Sequence, residues 1–143
     1  MSAKNSKKIF FIVLAAVVVI GVVALCYVFR SPSHSVAKEK AAFTLTSDEL
    51  YAAFEENEAT ANEKYLGKVI EVTGTVGEVE KAENGQLTVV LTCSNPMGGV
   101  RCSFNEKQDE VSGQLTEGSS HTIKGKCSGV LMEVVLDDCS LQK

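Results

Sequence analysis

Residues 9–29 form an unbroken run of 21 residues without a charge, proline, asparagine or glutamine, dominated by Val, Ile, Leu, Ala and Phe. Wound into an α-helix, such a run is roughly 31 Å long, which matches the ~30 Å hydrocarbon core of a bilayer. A helix that is apolar on every face has no polar side to offer water, so an amphipathic place on a soluble core suits it poorly. The run therefore predicts one transmembrane signal-anchor helix over 9–29, with residues 1–8 as a cytoplasmic N-terminus. It exceeds the ~7–15 apolar residues of a cleaved signal, which favours retention. Ser35-Val36-Ala37 offers small residues for cleavage, and Cys26 offers a thiol for lipidation. However, the residue before Cys26 is Leu25 rather than a small one, and Tyr27-Val28-Phe29 continues the apolar run.

Charge flanking the run gives a direction. Lys4, Lys7, Lys8 and the terminal amine stand on one side, and Arg30, Lys38 and Lys40 on the other. The small excess on the first side puts the N-terminus in the cytoplasm and the rest of the chain outside, as a single-pass protein of the cell membrane. Residues 30–143 hold 11 of the 14 basic residues and all 18 acidic ones, a net charge near −7. Nucleic-acid affinity depends on Lys and Arg neutralising phosphates, so this balance argues against a nucleic-acid partner.

The stretch 30–45 contains Ser31-Pro32-Ser33-His34-Ser35 and no apolar period, and reads as a linker. Residues 46–143 have room for one domain. Thr46 with Glu49 has the spacing of a capping box, and Leu50, Tyr51 and Phe54 supply one apolar face, so a helix is expected over 46–65. Glu55, Glu56, Glu58 and Glu63 fit its solvated side. From residue 68 the period changes to two, with Ile70, Val72 and Val76 alternating with Glu71, Thr73 and Thr75. Further strands are expected over 86–93, after the Glu83-Asn84-Gly85 hairpin turn, and over 100–104, 121–127 and 133–141. Residues 106–115 fit a short helix or loop. Residues 67–76 echo residues 118–127: Gly67 and Gly118 are each followed by Gly74 and Gly125 after seven residues, with an apolar position two further on. Strand glycines mark bends, bulges or close backbone approaches, which a small barrel needs. The expected fold is mainly β with one or two helices, a five-stranded OB-fold barrel preceded by the transmembrane helix.

Over residues 50–141 the chain resembles the bacterial OB-fold lipoproteins described as tRNA-anticodon-domain-like (tRNA_anti-like). The resemblance is carried by Tyr65-Leu66-Gly67-Lys68, Val72-Thr73-Gly74-Thr75-Val76, Val100-Arg101-Cys102-Ser103-Phe104, Lys124-Gly125-Lys126-Cys127-Ser128-Gly129 and Val135-Leu136-Asp137-Asp138-Cys139. It implies a five-stranded barrel at the cell envelope and no particular activity. The chain departs from the lipoprotein pattern in its poor lipobox around Cys26.

Cys93, Cys102, Cys127 and Cys139 allow three disulfide pairings. Cys93–Cys102 and Cys127–Cys139 are favoured here because each pair flanks an expected hairpin, where facing β-carbons approach the ~3.8 Å that a disulfide needs. The other reading is four free thiols in a reducing compartment. Structural zinc uses close Cys pairs, which are missing, as is the Cys-x-x-Cys of a thioredoxin-like site. His34 and His121 lack partners at catalytic or metal-ligand spacing, and no phosphate-cradling loop or Gly-x-Ser-x-Gly elbow occurs. Glu133, Asp137 and Asp138 lack the oxygen-rich loop that calcium needs. Neither a metal nor a cofactor is expected.

These readings give a membrane-tethered, non-catalytic binding or interaction module for an envelope protein, glycan or small ligand. Arg101, Lys124, Lys126 and Phe104 are its expected ligand face. One alternative is a nucleic-acid-binding OB domain, which requires Lys64, Lys68, Arg101, Lys124 and Lys126 to form one patch. The other is an enzyme with a dispersed acidic site built from Glu71, Glu133 and Asp137.

Overall fold

The structure, a computed structural model, describes residues 3–29, 36–105 and 109–143. It divides into two compact units, Met1–His34 and Ser35–Lys143. The first is one helix, α1 (Ala3–Phe29), of 27 residues. Among the described residues no helix is long and apolar enough to cross a membrane.

The second unit begins with one turn of 3-10 helix, Val36–Lys38, and a short strand, β1 (Phe43–Thr46). The turn and the first three residues of the strand fall in the stretch 30–45 expected to be a linker. Apolar contacts explain their order: Val36 is buried, and Phe43 meets Tyr65 edge-on with ring centroids 5.1 Å apart. Thr46 then caps α2 (Ser47–Glu56) with the expected capping box, in which the Thr46 side chain accepts from the Glu49 N–H and Glu49 accepts from the Thr46 N–H. The single helix expected over 46–65 is two. Asn57 ends α2 with its own N–H on the Ala53 carbonyl and starts α3 (Glu58–Tyr65) by accepting from the Thr60 N–H at 3.0 Å.

Five strands follow, β2 (Val69–Lys81), β3 (Leu87–Thr92), β4 (Gly99–Phe104), β5 (Ser120–Val130) and β6 (Val134–Leu141), with the single-turn α4 (Asp109–Ser112) between β4 and β5. The sheet order β1-β2-β3-β4-β6-β5, with β2 also pairing β5, closes β2 to β6 into a five-stranded barrel. Pairings around the barrel are antiparallel except β4 with β6, which is parallel. Gly85 has φ +85°, and Asn84 accepts from the Gln86 N–H, so the Asn-Gly turn joins β2 to β3 as expected.

The internal echo has a physical basis. Gly67 and Gly118 adopt φ of +73° and +84° two residues before β2 and β5, a conformation that glycine enters without a Cβ clash. The two strands then pair with each other, with Val72 opposite Ile123. Gly74 and Gly125 lie where another chain segment presses in: a Cβ at Gly74 would sit 2.6 Å from Ser47 Oγ, and one at Gly125 would sit 2.6 Å from Cys139 Sγ. Inward positions such as Val72, Val89, Leu91, Phe104 and Leu136 are sealed from water, and Leu50 and Phe54 of α2 join the same core.

Candidate ligand groove on the outer face of the barrel

In β3 and β4 the side chains alternate. Val89, Leu91, Val100 and Cys102 turn inward, so Arg101, opposite Val90 and beside Val135 of β6, turns outward. Two connections rise beside this face. The β5–β6 turn supplies Leu131, Met132 and Glu133, and the β3–β4 loop supplies Met97. With Arg101 and Val135 they line a groove of about 350 Å³. Its apolar walls lie open to water, with Met97 78%, Leu131 89% and Met132 79% exposed.

These projections are held by the backbone rather than by burial. Asn95 accepts from the Met97 N–H through its side chain and from the Gly98 N–H through its carbonyl, which fixes the turn under Met97. The loop is tied to α2 by Asp48, which accepts from the Ser94 N–H, and by Glu55, which accepts from Asn95. That backbone hydrogen bond holds the Asp48 carboxyl below the usual aspartate value of 3.8. Gly98 allows the loop to lie on α2, since a Cβ there would stand 2.2 Å from the Tyr51 ring.

The charge in the groove is balanced. Arg101 Nε donates to Glu133 Oε2 at 2.7 Å, and its Nη1 lies 3.7 Å from Glu80 Oε2. A phosphate arriving at Arg101 meets two carboxylates already beside the guanidinium. Met side chains adapt to irregular apolar shapes, so the groove suits an apolar or aromatic group flanked by a polar one.

Of the four residues expected to form the ligand face, Arg101 alone lines this groove. Phe104 is fully buried in the barrel core, because its position in β4 has the same parity as Cys102. Lys124 is also buried, its Nζ donating to the Glu39 carbonyl at 3.1 Å and lying 3.4 Å from Glu71 Oε1, which ties β5 to the segment before β1. Lys126 is exposed on β5, in register with Val69 and Asp137. Of the basic residues that a nucleic-acid site would gather, Lys64 and Lys68 both stand 5.4 Å from the Phe43 ring, whereas Arg101 and Lys124 are each engaged by carboxylates. The three acids of the dispersed-site reading also go to separate partners: Glu71 to Lys124, Glu133 to Arg101, and Asp137 to the Ser128 hydroxyl. Among the described residues no group of three His, Cys, Asp or Glu is placed to hold a metal ion.

Sequence reasoning missed Met97, Leu131, Met132 and Val135. A signal was available for two of them, because a Leu-Met pair at the tip of a hairpin breaks the rule that turns are polar.

Cys102, Cys127 and Cys139 are buried and Cys93 is half-buried, each in the thiol form in this structure. Register separates one of the pairs expected from the hairpins. Cys102 lies opposite Val89 on β3, and Cys93 is four residues further, roughly 13 Å along an extended strand. Cys127 lies opposite Leu136, and Cys139 is three residues further along β6. Burial raises the Cys93 and Cys127 thiols above the ordinary value of 9.0, and raises Cys139 well above it, where contact with the Cys102 thiol adds to the effect.

A closed barrel of this topology is the architecture of OB-folds, and the family model described as tRNA_anti-like matches residues 1–141. The chain belongs to the tRNA_anti-like family. No protein of curated function matches it. Among solved structures, it is similar to a "putative nucleic acid-binding lipoprotein" from Klebsiella pneumoniae subsp. pneumoniae, with 22% identity and a TM-score of 0.58 over 69% of this chain and 91% of that one. At that identity the likeness speaks to the fold. A partial overlap with asparaginyl-tRNA synthetase of Entamoeba histolytica spans 52% of this chain and 21% of that one, with 18% identity and a TM-score of 0.40. Within this tRNA_anti-like barrel, the groove takes Arg101 from the third barrel strand and Leu131, Met132 and Glu133 from the loop between the fourth and fifth, two of the parts through which OB-folds bind oligonucleotides and oligosaccharides.

Proposed function

We propose that this protein is a non-catalytic binding module, held by α1 on the outer side, periplasmic or extracellular, of the cell membrane, which takes an apolar or aromatic segment of a protein partner into the Met97–Leu131–Met132 groove. The observation that carries the reading is the placement of three largely exposed, large apolar side chains around a carboxylate-paired arginine, beside a barrel strand and a loop of the kind that OB-folds use for ligands. Stability does not require those side chains to stand in water. Tethering is supported by the 21 uncharged residues of 9–29, all within the span of α1. An outer location agrees with the lipoprotein description of the Klebsiella protein.

The nucleic-acid part of that description gives the test its second arm. Full-length protein in detergent is titrated with fluorescent peptides carrying Leu, Phe or Trp anchors and with single-stranded oligonucleotides at two salt concentrations. Saturable peptide binding that weakens at least tenfold in the Leu131→Asp/Met132→Asp variant is the expected result. Oligonucleotide binding that weakens steeply with salt and is lost in Arg101→Ala would replace it with a nucleic-acid function. Tethering is tested separately, by alkaline carbonate extraction and by protease treatment of spheroplasts. Release of the full-length chain into the soluble fraction, or protection of the domain, would overturn that half.

A further inference from the structure

We propose that Cys102 and Cys139 are joined by a disulfide that forms as the barrel folds in an oxidising compartment. The inference rests on the reading that the domain lies outside the cytoplasm, and it adds a covalent bond at the barrel's parallel seam.

The seam is where β4 meets β6, with Cys102 opposite Leu136 and both facing inward. Cys139 is three residues beyond Leu136, so strict alternation would turn it outward. A bulge corrects the parity. Across β5, Lys124 pairs with Ser140 and Lys126 with Asp137, which leaves an extra residue in β6, and Asp138 takes φ +53° there. Cys139 consequently points into the barrel, 4% exposed, beside the fully buried Cys102.

Three contacts hold its sulfur at the seam. Cys139 Sγ donates to the carbonyl of Leu136, the cross-strand partner of Cys102, at 3.3 Å. It also meets the Cys102 thiol and accepts from the Ser103 N–H. On the far side Gly125 leaves room for it, since a Cβ there would stand 2.6 Å from the sulfur. A left-handed non-glycine residue and a bare glycine thus both serve to aim one thiol at the other.

The bond forms by two exchanges with an oxidised thiol carrier such as glutathione disulfide or a disulfide-bearing oxidoreductase. One cysteine thiolate attacks the carrier's S–S bond, giving a mixed disulfide and releasing one carrier thiol. The second cysteine then attacks that mixed disulfide and releases the other. Two protein thiols lose two protons and two electrons, and the carrier's disulfide becomes two thiols. Burial keeps Cys139 protonated and out of reach once the barrel is closed, so the exchange precedes closure and the finished bond resists reduction.

Full-length protein, reduced and unfolded, is refolded into detergent in a glutathione redox buffer, alkylated, and digested with trypsin together with a Glu-specific protease, because Arg101, Lys126 and Glu133 separate the four cysteines. A linked Cys102–Cys139 peptide pair, with Cys93 alkylated, is expected. Linkage of Cys93 to Cys102 or of Cys127 to Cys139, or four alkylated thiols, would overturn the proposal. The loop closed is roughly 38 residues, so reduction before heating should lower Tm by roughly 10–20 °C, an effect absent from Cys102→Ala/Cys139→Ala. Should that variant not fold, the wild-type map decides alone. The same map on unreduced protein from host membranes tests location. Thiols free there but linked after refolding would leave the pairing standing and overturn the outer placement.

Discussion

Along β4, Val100, Cys102 and Phe104 are sealed from water, while Arg101 between them opens onto a groove whose other walls, Met97, Leu131 and Met132, are largely exposed. One face of the strand is governed by burial, and burying an aliphatic or aromatic side chain is worth about 1.5–3 kcal/mol. The other carries apolar side chains that gain almost nothing from folding. The contrast separates residues that make the barrel from residues that the barrel displays, and it assigns different penalties to similar substitutions.

The largest penalty belongs inside. Phe104→Ala should destabilise by about 3–5 kcal/mol, read from the midpoint of urea unfolding; a loss below about 1 kcal/mol would dissolve the distinction between the faces. Thr46→Ala removes the side-chain half of the capping box that starts α2, and about 1 kcal/mol should go with it. Arg101→Ala, at a partly exposed ion pair, should cost at most about 1 kcal/mol in the same assay. Leu131→Asp/Met132→Asp should shift stability by about 0.5 kcal/mol or less while abolishing ligand capture. A large loss of stability there would make those side chains structural and refute the groove.

The smallest effect is a matter of acid stability. Because the folded Asp48 carboxyl titrates below its ordinary value, its contribution is present above the unfolded pKa and disappears as pH falls through the folded one. Acid titration of Asp48→Ala should therefore be flatter below about pH 4 than that of the parent protein. Equal profiles would mean that the loop bearing Met97 does not depend on its tie to α2.

Much of the barrel was legible from the chain, because local rules and global fold agree there. Period-two alternation located all five barrel strands, Asn84-Gly85 located the hairpin, and the spacing of Gly67 and Gly74 against Gly118 and Gly125 located two strands that pair with each other. Thr46 and Glu49 located the start of α2. Asn57 escaped notice because an asparagine between two Glu-rich segments looks like a solvated helix position unless its cap is seen. β1 escaped because four residues beside a polar stretch carry too short a pattern, and their order depends on Tyr65 and Ile70, far along the sequence. Phe104 and Lys124 were misplaced in the reading of the ligand face because residue type was weighed above strand parity. The inward turn of Cys139 was beyond reach for a related reason: its place along a hairpin was visible, whereas the β6 bulge that redirects it was not.

β1 runs parallel to β2 from Phe43 opposite Ile70 to Thr46 opposite Thr73, and β3 takes over the same side of β2 from Thr75 onward. Those four residues thus shield a stretch of backbone that would otherwise recruit a neighbouring molecule by strand exchange. A recombinant fragment cut at Ser47, where the helix invites a boundary, would lose that guard and self-associate; one beginning at Ser35 would keep it.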